Sequence, residues 1–300
     1  MTLLLTLVGV GVMALVIRDI FQTLFAPSGS GRLSQGAARQ VWRLVRSVSS
    51  RKQDRLSVAG PLSLVLIILL WTGGLILAWA CLLWPHLPER FLLSPGMDPE
   101  QNDGFLNAVY VSLVTLGTLG YGEITPEPTW LRLLVPLEAL IGFALFTASI
   151  SWIMSIYPGL ARRRHLAREV SILHRSEQRS GVAIADLDAG MYCTMLRDLA
   201  SQVIAVRNDF IQFPITYYFR TSDRAASLEV ALPPLVALAR NADRHDSPAV
   251  RLNAALLLEA LLDLSSHLAE TWVDCDDEAD MDGVLEAYAA DHMHSIGDPV

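Results

Sequence analysis

The chain has 300 residues, of which 52% are apolar and 18% charged, with a net charge of −8. A charged fraction below the usual of roughly 25%, with so much apolar content, excludes a disordered chain and argues against a purely soluble globule. Three cysteines exclude a disulfide scaffold and a four-thiolate zinc site, and the negative balance gives no encouragement for nucleic-acid binding.

The charge is unevenly spread. Residues 1–159 carry ten basic and nine acidic side chains, and residues 160–300 carry thirteen and twenty-two. The first part is apolar and near neutral; the second alternates like an aqueous helical domain. Lys52 is the one lysine, and every other basic residue is arginine.

In chain order, Thr2–Ile17 is free of charge, and its apolar character resumes after Arg18-Asp19 through Ile20, Phe21, Leu24 and Phe25. The amino end lacks arginine and lysine, and no small-x-small site follows, so the segment reads as a first span over 1–27 rather than a cleaved leader. Gly9-x-Gly11 imitates a dinucleotide fingerprint, but it lies within the span and no acidic residue follows at the required distance. The second span is predicted over 58–85, which is uncharged throughout. The third covers 130–157, and from Leu133 to Ala161 the sole charge is Glu138. Each is long enough to cross a bilayer core of about 30 Å. Arginine is concentrated in 28–57 and at Arg162-Arg163-Arg164, so both segments are expected on the inner side. The amino terminus is then outside and the carboxyl-terminal half is cytoplasmic. Within the linker, Val41, Leu44, Val45 and Val48 recur at helical spacing beside Trp42, with Arg39, Arg43 and Arg46 around them. The pattern predicts a basic amphipathic helix on anionic lipid, with Trp42 at the membrane boundary. Asp19 is expected either to anchor the end of the first span or to contact this linker.

The most informative stretch runs from Asp103 to Pro126. Helix-start residues Asn102 and Asp103 precede Phe105, Leu106, Val109, Tyr110, Leu113 and Val114, apolar at 3.6-residue spacing. The predicted helix, 103–117, is too short to span and has the length of a re-entrant segment. It breaks at Thr118-Leu119-Gly120-Tyr121-Gly122. Two glycines permit a backbone that turns successive carbonyls to one side, and a ring of such loops replaces an ion's hydration shell.

At these residues the chain resembles the potassium-channel pore family, whose filter reads Thr-Val-Gly-Tyr-Gly. The resemblance continues through Tyr110, Ser112 and Thr115 in the short helix. It extends to Glu123 where an aspartate is common, to Pro126, and to Trp130 and Arg132 at the start of the inner helix. Gly117 and Leu119 depart from the family's Thr and Val, and Val114 stands where some members carry a carboxylate. The resemblance implies ion binding by Thr118, Leu119, Gly120, Tyr121 and Gly122, an outer mouth at Glu123 and a hinge at Gly142. It also implies a homotetramer with potassium as the permeant ion and no resident metal or cofactor. No arginine repeat marks a voltage sensor.

Glu138 would cost roughly 2.5–3.5 kcal/mol on insertion scales if it faced lipid, so it is expected to point inward to the short helix and the back of the filter. There it acts in gating or is a satisfied buried carboxyl. Thr147, Ser149 and Ser151 either line an inner cavity or bond helix carbonyls.

Residues 160–300 read as an all-helical cytoplasmic domain, with helices over about 161–178, 186–211, 224–242, 248–272 and 277–293. Asp280, Asp282 and Gly283, with Glu278, imitate a calcium loop, but its twelfth position is Ala289 and an acidic helix start is expected instead. His292 and His294 are expected to be solvated, and Cys81, Cys193 and Cys275 to be free thiols.

The expected fold is therefore an all-α membrane protein: three transmembrane helices with a re-entrant helix and selectivity-filter loop, then a helical domain. Its segments are 1–27, 28–57, 58–159 and 160–300. The expected function is passive, potassium-selective conduction through a homotetramer in a bacterial inner membrane, with no enzymatic activity, no nucleic-acid partner and a cytoplasmic ligand left open. Two alternatives stand beside it: a weakly selective cation channel, and a membrane-anchored sensor or scaffold with a non-conducting pore.

Overall fold

The computed structural model describes residues 2–26, 29, 31–48, 53–99, 102–275 and 279–293. It is almost wholly helical and divides into two compact units, residues 1–38 with 64–155 and residues 39–63 with 156–300. Four helical stretches are long and apolar enough to cross a membrane: Thr2–Leu24, Leu56–His86, Thr129–Ser180 and Pro248–Thr271.

The first unit is built from α1 (Thr2–Leu24), the start of α2 (Arg32–Val48), most of α3 (Ala59–Leu83), α4 (Phe105–Leu116) and α5 (Thr129–Ser180) up to Ser155. Small residues let α1 approach α3: a Cβ on Gly9 would stand 2.7 Å from the Ala78 carbonyl oxygen. Asp19, 3% exposed, joins three elements. Its carboxylate accepts from the Leu33 and Ser34 amides at 2.9 and 3.2 Å, from Ser34 Oγ at 2.5 Å and from Trp71 Nε1 at 2.9 Å. A carboxylate at a helix amino terminus satisfies amides that have no partner inside the helix. Asp19 thus reaches the linker through backbone amides and not through arginine.

One small sheet was not foreseen. Strand β1 (Phe91–Leu93) pairs antiparallel with β2 (Ile124–Pro126), Phe91 opposite Pro126 and Leu93 opposite Ile124. Three-residue strands carry no readable alternation. Around them Leu83, Leu87, Phe91, Ala108, Val111 and Leu131 form a closed apolar core between α3, α4 and the start of α5. The short helix begins later than predicted, with Gly104 as its cap; the Asp103 carbonyl is occupied by Trp84 Nε1 at 3.0 Å.

The second unit contains the carboxyl-terminal part of α2, the foot of α3, α5 beyond Ser155, and α6 (Ala189–Gln212), α7 (Leu228–Asp243), α8 (Pro248–Thr271) and α9 (Met281–Asp291). Leu196, Leu199, Val203, Val206 and Phe210 recur at helical spacing on α6 and pack with Val250, Leu257, Leu261, Leu264 and Leu268 of α8. This is how α8, apolar enough to span, uses its apolar face. Asp280 caps α9 by accepting from the Gly283 amide, and Asp282 pairs with Arg240 at 2.7 Å, as an acidic helix start does. Glu278 and His294 lie outside the described residues.

Two expectations fail here. Trp42, placed by its sequence at the membrane boundary, is 4% exposed and packs against Tyr217, Tyr218 and His292, with its Nε1 donating to Asp291 at 3.0 Å. An aromatic cluster of the same chain takes up the face that lipid was expected to cover, while Leu44 and Val48 of α2 stay exposed. His292, expected in solvent, is fully buried, its Nε2 2.9 Å from the Tyr217 carbonyl oxygen. The three cysteines are free thiols.

Candidate pore loop and the segment behind it

Helix α4 ends at Gly117, and the chain then changes hand repeatedly. Thr118, Gly120 and Gly122 have φ of 55°, 58° and 85°, the left-handed region, while Leu119 and Tyr121 between them do not. Only glycine visits this region without steric cost, which is the local reason for its recurrence. Alternating hand turns every peptide plane over relative to a regular helix, so neighbouring carbonyls come to share a side.

The amides are tied backward. The Val114 carbonyl accepts from Leu119 N at 2.9 Å and from Gly120 N at 3.4 Å, and Thr118 N reaches Thr115 O at 2.9 Å. Among the described residues no backbone amide donates to the carbonyls of Thr118 to Gly122. A row of unused carbonyl oxygens must face water or a cation. Chemically the loop offers a run of neutral backbone oxygens without amide donors among the described residues.

The carboxyl-terminal end of the loop is braced from two directions. Tyr110 of α4 donates its hydroxyl to the Glu123 carboxylate. Ser94 N, just past β1, donates to the Glu123 carbonyl at 2.9 Å, and Glu127 N donates to Arg90 O at 3.0 Å. The β1–β2 pair thus fastens the connection after α3 to the loop's exit. Motif reading finds Tyr110 and Glu123 singly; their pairing needs the fold.

Behind the loop, α4 and α5 meet along matched turns. Ser112 Oγ donates to Glu138 Oε1 at 2.5 Å, and one turn further Gly142 faces Leu116, where an added Cβ would come within 2.1 Å of the Leu116 carbonyl oxygen. Glu138 is 0% exposed, and its Oε2 has no partner among the described residues. The inward orientation expected of it is therefore what the structure shows. Gly142, singled out as a hinge, sits at a point of closest helix approach. Of the three hydroxyls further along α5, Thr147 bonds the Phe143 carbonyl at 3.0 Å, and Ser149 is buried with no partner among the described residues. Ser151 has no side-chain bond described; its carbonyl accepts from Ser155 at 2.8 Å.

Leu119 and Tyr121 stand 56% and 67% exposed on this chain, and Leu133, Leu137, Leu140 and Phe143 form an uncovered apolar row on α5. That row and the loop's free face are surfaces a single chain leaves bare.

Residues 64–157 match the family described as ion channel. The chain is also similar to an uncharacterized membrane protein, YdjJ, of Bacillus subtilis (strain 168), 22% identical over 224 residues that cover 72% of this chain and 62% of that protein. The chain thus corresponds to less than two thirds of that relative's length. No solved structure matches. Over residues 64–157, close to a third of its length, the chain is thus similar to the ion-channel family, which supports the likeness to potassium-channel pores.

Proposed function

We propose that the protein is a potassium-selective channel that conducts passively through a ring of four copies. The observation that carries this reading is the run of unused carbonyls from Thr118 to Gly122, set by left-handed backbone at every second residue. One chain supplies one such wall, and a closed ring needs several; the exposed loop and the apolar row of α5 supply the surfaces for it. In this reading α1, α3 and the first part of α5 are the three spans, the amino terminus is outside, and residues 160–300 are cytoplasmic in a bacterial inner membrane. The Glu123 ring concentrates cations at the outer mouth, and the gate lies on α5, with Gly142 and Glu138 governing how α5 moves against α4. Permeant potassium is the only ion required, and no cofactor takes part.

The deciding experiment is reversal potential in liposomes under opposed potassium and sodium gradients. A potential close to the potassium equilibrium value, abolished by Gly120→Asp, is the expected result. Flux without discrimination establishes the weakly selective cation channel, for which the Leu119 and Gly117 departures are the reason. A folded, silent tetramer under all conditions defeats conduction and leaves a membrane-anchored sensor.

A further inference from the structure

Conduction leaves one cavity without a role. It has a volume of about 620 Å³ and lies between α2 and the ends of α8 and α9, within the second unit. That is inside the range of about 300–1,000 Å³ typical of small-molecule sites. One wall carries Arg39, Arg43 and Arg46, spaced four and three residues apart on a single face of α2. The other carries Glu270 and Asp274 at the end of α8.

The charges on these walls are not matched to each other. Arg46 is paired with Asp291 at 2.5 Å, and the same carboxylate accepts from Trp42 Nε1 and from the Tyr217 hydroxyl at 2.6 Å. Asp291 is therefore committed. Arg39 and Arg43 lie close enough to Tyr218 for their charges to act on its phenol. Among the described residues Arg39 and Arg43 form no ion pair, and neither do Glu270 and Asp274. Two guanidinium groups thus face a cavity from one side and two carboxylates from the other. A planar guanidinium fork matches phosphate oxygens in pairs, and a carboxylate accepts from an amino group.

We propose that this cavity binds a small phosphate-bearing molecule of about nucleotide size, its phosphate on Arg39 and Arg43 and an amino group directed to Glu270 and Asp274. Occupancy bears on the segment 214–219, which also contacts two long helices, α3 at its start and α5 at Arg163. Arg163 of α5 donates to the Thr216 carbonyl at 2.9 Å and to the Phe219 carbonyl, and the Phe219 ring lies where a Cβ on Gly60 of α3 would be, 2.5 Å away. Tyr217 and Tyr218 line the cavity from that same segment. The ligand therefore acts on the footing of α3 and α5, a binding event that is measurable whether or not the pore conducts.

The test uses the full-length protein in detergent, titrated calorimetrically with AMP, inorganic phosphate and adenosine. AMP is expected to bind, phosphate more weakly and adenosine not at all. Arg39→Gln and Arg43→Gln are each expected to weaken AMP by about tenfold or more, as loss of a charge-assisted fork requires. Glu270→Gln is expected to bring AMP toward the affinity of phosphate alone. Unchanged melting of the ligand-free variants shows that they are folded. A phospholipid headgroup carries the same phosphate, so the second arm compares thermal stability in phosphatidylglycerol and phosphatidylcholine nanodiscs. A phosphatidylglycerol gain lost in both arginine variants, with AMP silent, keeps the phosphate site and assigns its source to lipid. Absence of binding in both arms, or binding that survives both arginine substitutions, overturns the proposal.

Discussion

Glu138 shows how one side chain ties α5 to α4, the helix that leads into the loop. Its carboxyl has no charged neighbour among its interactions, and Ser112 is its hydrogen-bond partner. Glu138→Gln keeps the shape and the bond to Ser112 while removing the titratable group. It is expected to preserve assembly and to change open probability; identical single-channel records at all conditions tested would separate Glu138 from gating. Gly142 makes a stronger demand, because the nearest atom is a backbone oxygen and cannot swing away. Gly142→Ala is expected to destabilise the α4–α5 contact by about 1–3 kcal/mol, as overpacking does. A loss of thermal stability in the purified protein measures it. A hinge role alone predicts altered gating with unchanged stability.

Among the elements, α2 changes its meaning most between sequence and structure. The periodicity of Val41, Leu44, Val45 and Val48 beside Trp42 marks an amphipathic helix, of which Leu44 and Val48 stay exposed; periodicity says only that one face is covered and leaves the cover unnamed. Here Tyr217, Tyr218 and His292 do so. Trp42→Ala is expected to cost about 3–5 kcal/mol, since it empties a packed site and leaves Asp291 without one of its donors. Differential melting of the full chain reads this out, and a change below the low end would mean that the cluster does not hold α2.

The end of α9 adds a pH dependence with a definite sign. Burial pushes the His292 imidazole below its usual value, and Arg163 adds to this; Glu229, the Tyr217 carbonyl and Asp291 pull the other way. A histidine with a lowered folded value binds fewer protons folded than unfolded, so its stabilisation is complete above about 6.5, the unfolded value, and is lost as pH falls below it. Thermal stability is therefore expected to drop on acidification from pH 7.5 to 5.5, and His292→Gln to flatten that slope. An unchanged slope in the variant would assign the acid sensitivity to other groups. The Tyr217 phenol is held protonated, first by burial and then by the Asp291 charge, which is the state in which it donates to that carboxylate.

At the scale of the whole molecule, the exposed faces of Leu119, Tyr121 and the α5 row call for neighbours. Native mass measurement in detergent is expected to give four copies, and a monomer that still conducts would refute the ring. The region from α4 to the start of α5 was only half legible in the sequence. The filter motif, its short helix and Glu138's inward orientation can be read because glycine spacing, helical period and a lone charge are local or nearly local signals. The β1–β2 clasp, the Tyr110–Glu123 bond and the Ser112–Glu138 bond cannot, because each joins residues 13 or more positions apart.

The same division holds for the chain as a whole. Composition, charge asymmetry and the Thr118–Gly122 motif by themselves determine an apolar, near-neutral half with long spans, an acidic helical half and a carbonyl-presenting loop, since each depends on residue type and near neighbours along the chain. Which faces meet was decided only on folding. Asp19 acquires its role when α1, α2 and Trp71 converge, and Trp42 turns from a lipid anchor into a core residue when α9 supplies Asp291 and His292. Arg39 and Arg43 likewise become one wall of a cavity because α8 ends opposite them. The physical reason is that hydrophobic burial is non-directional: sequence shows that a face must be covered, and only tertiary packing selects what covers it.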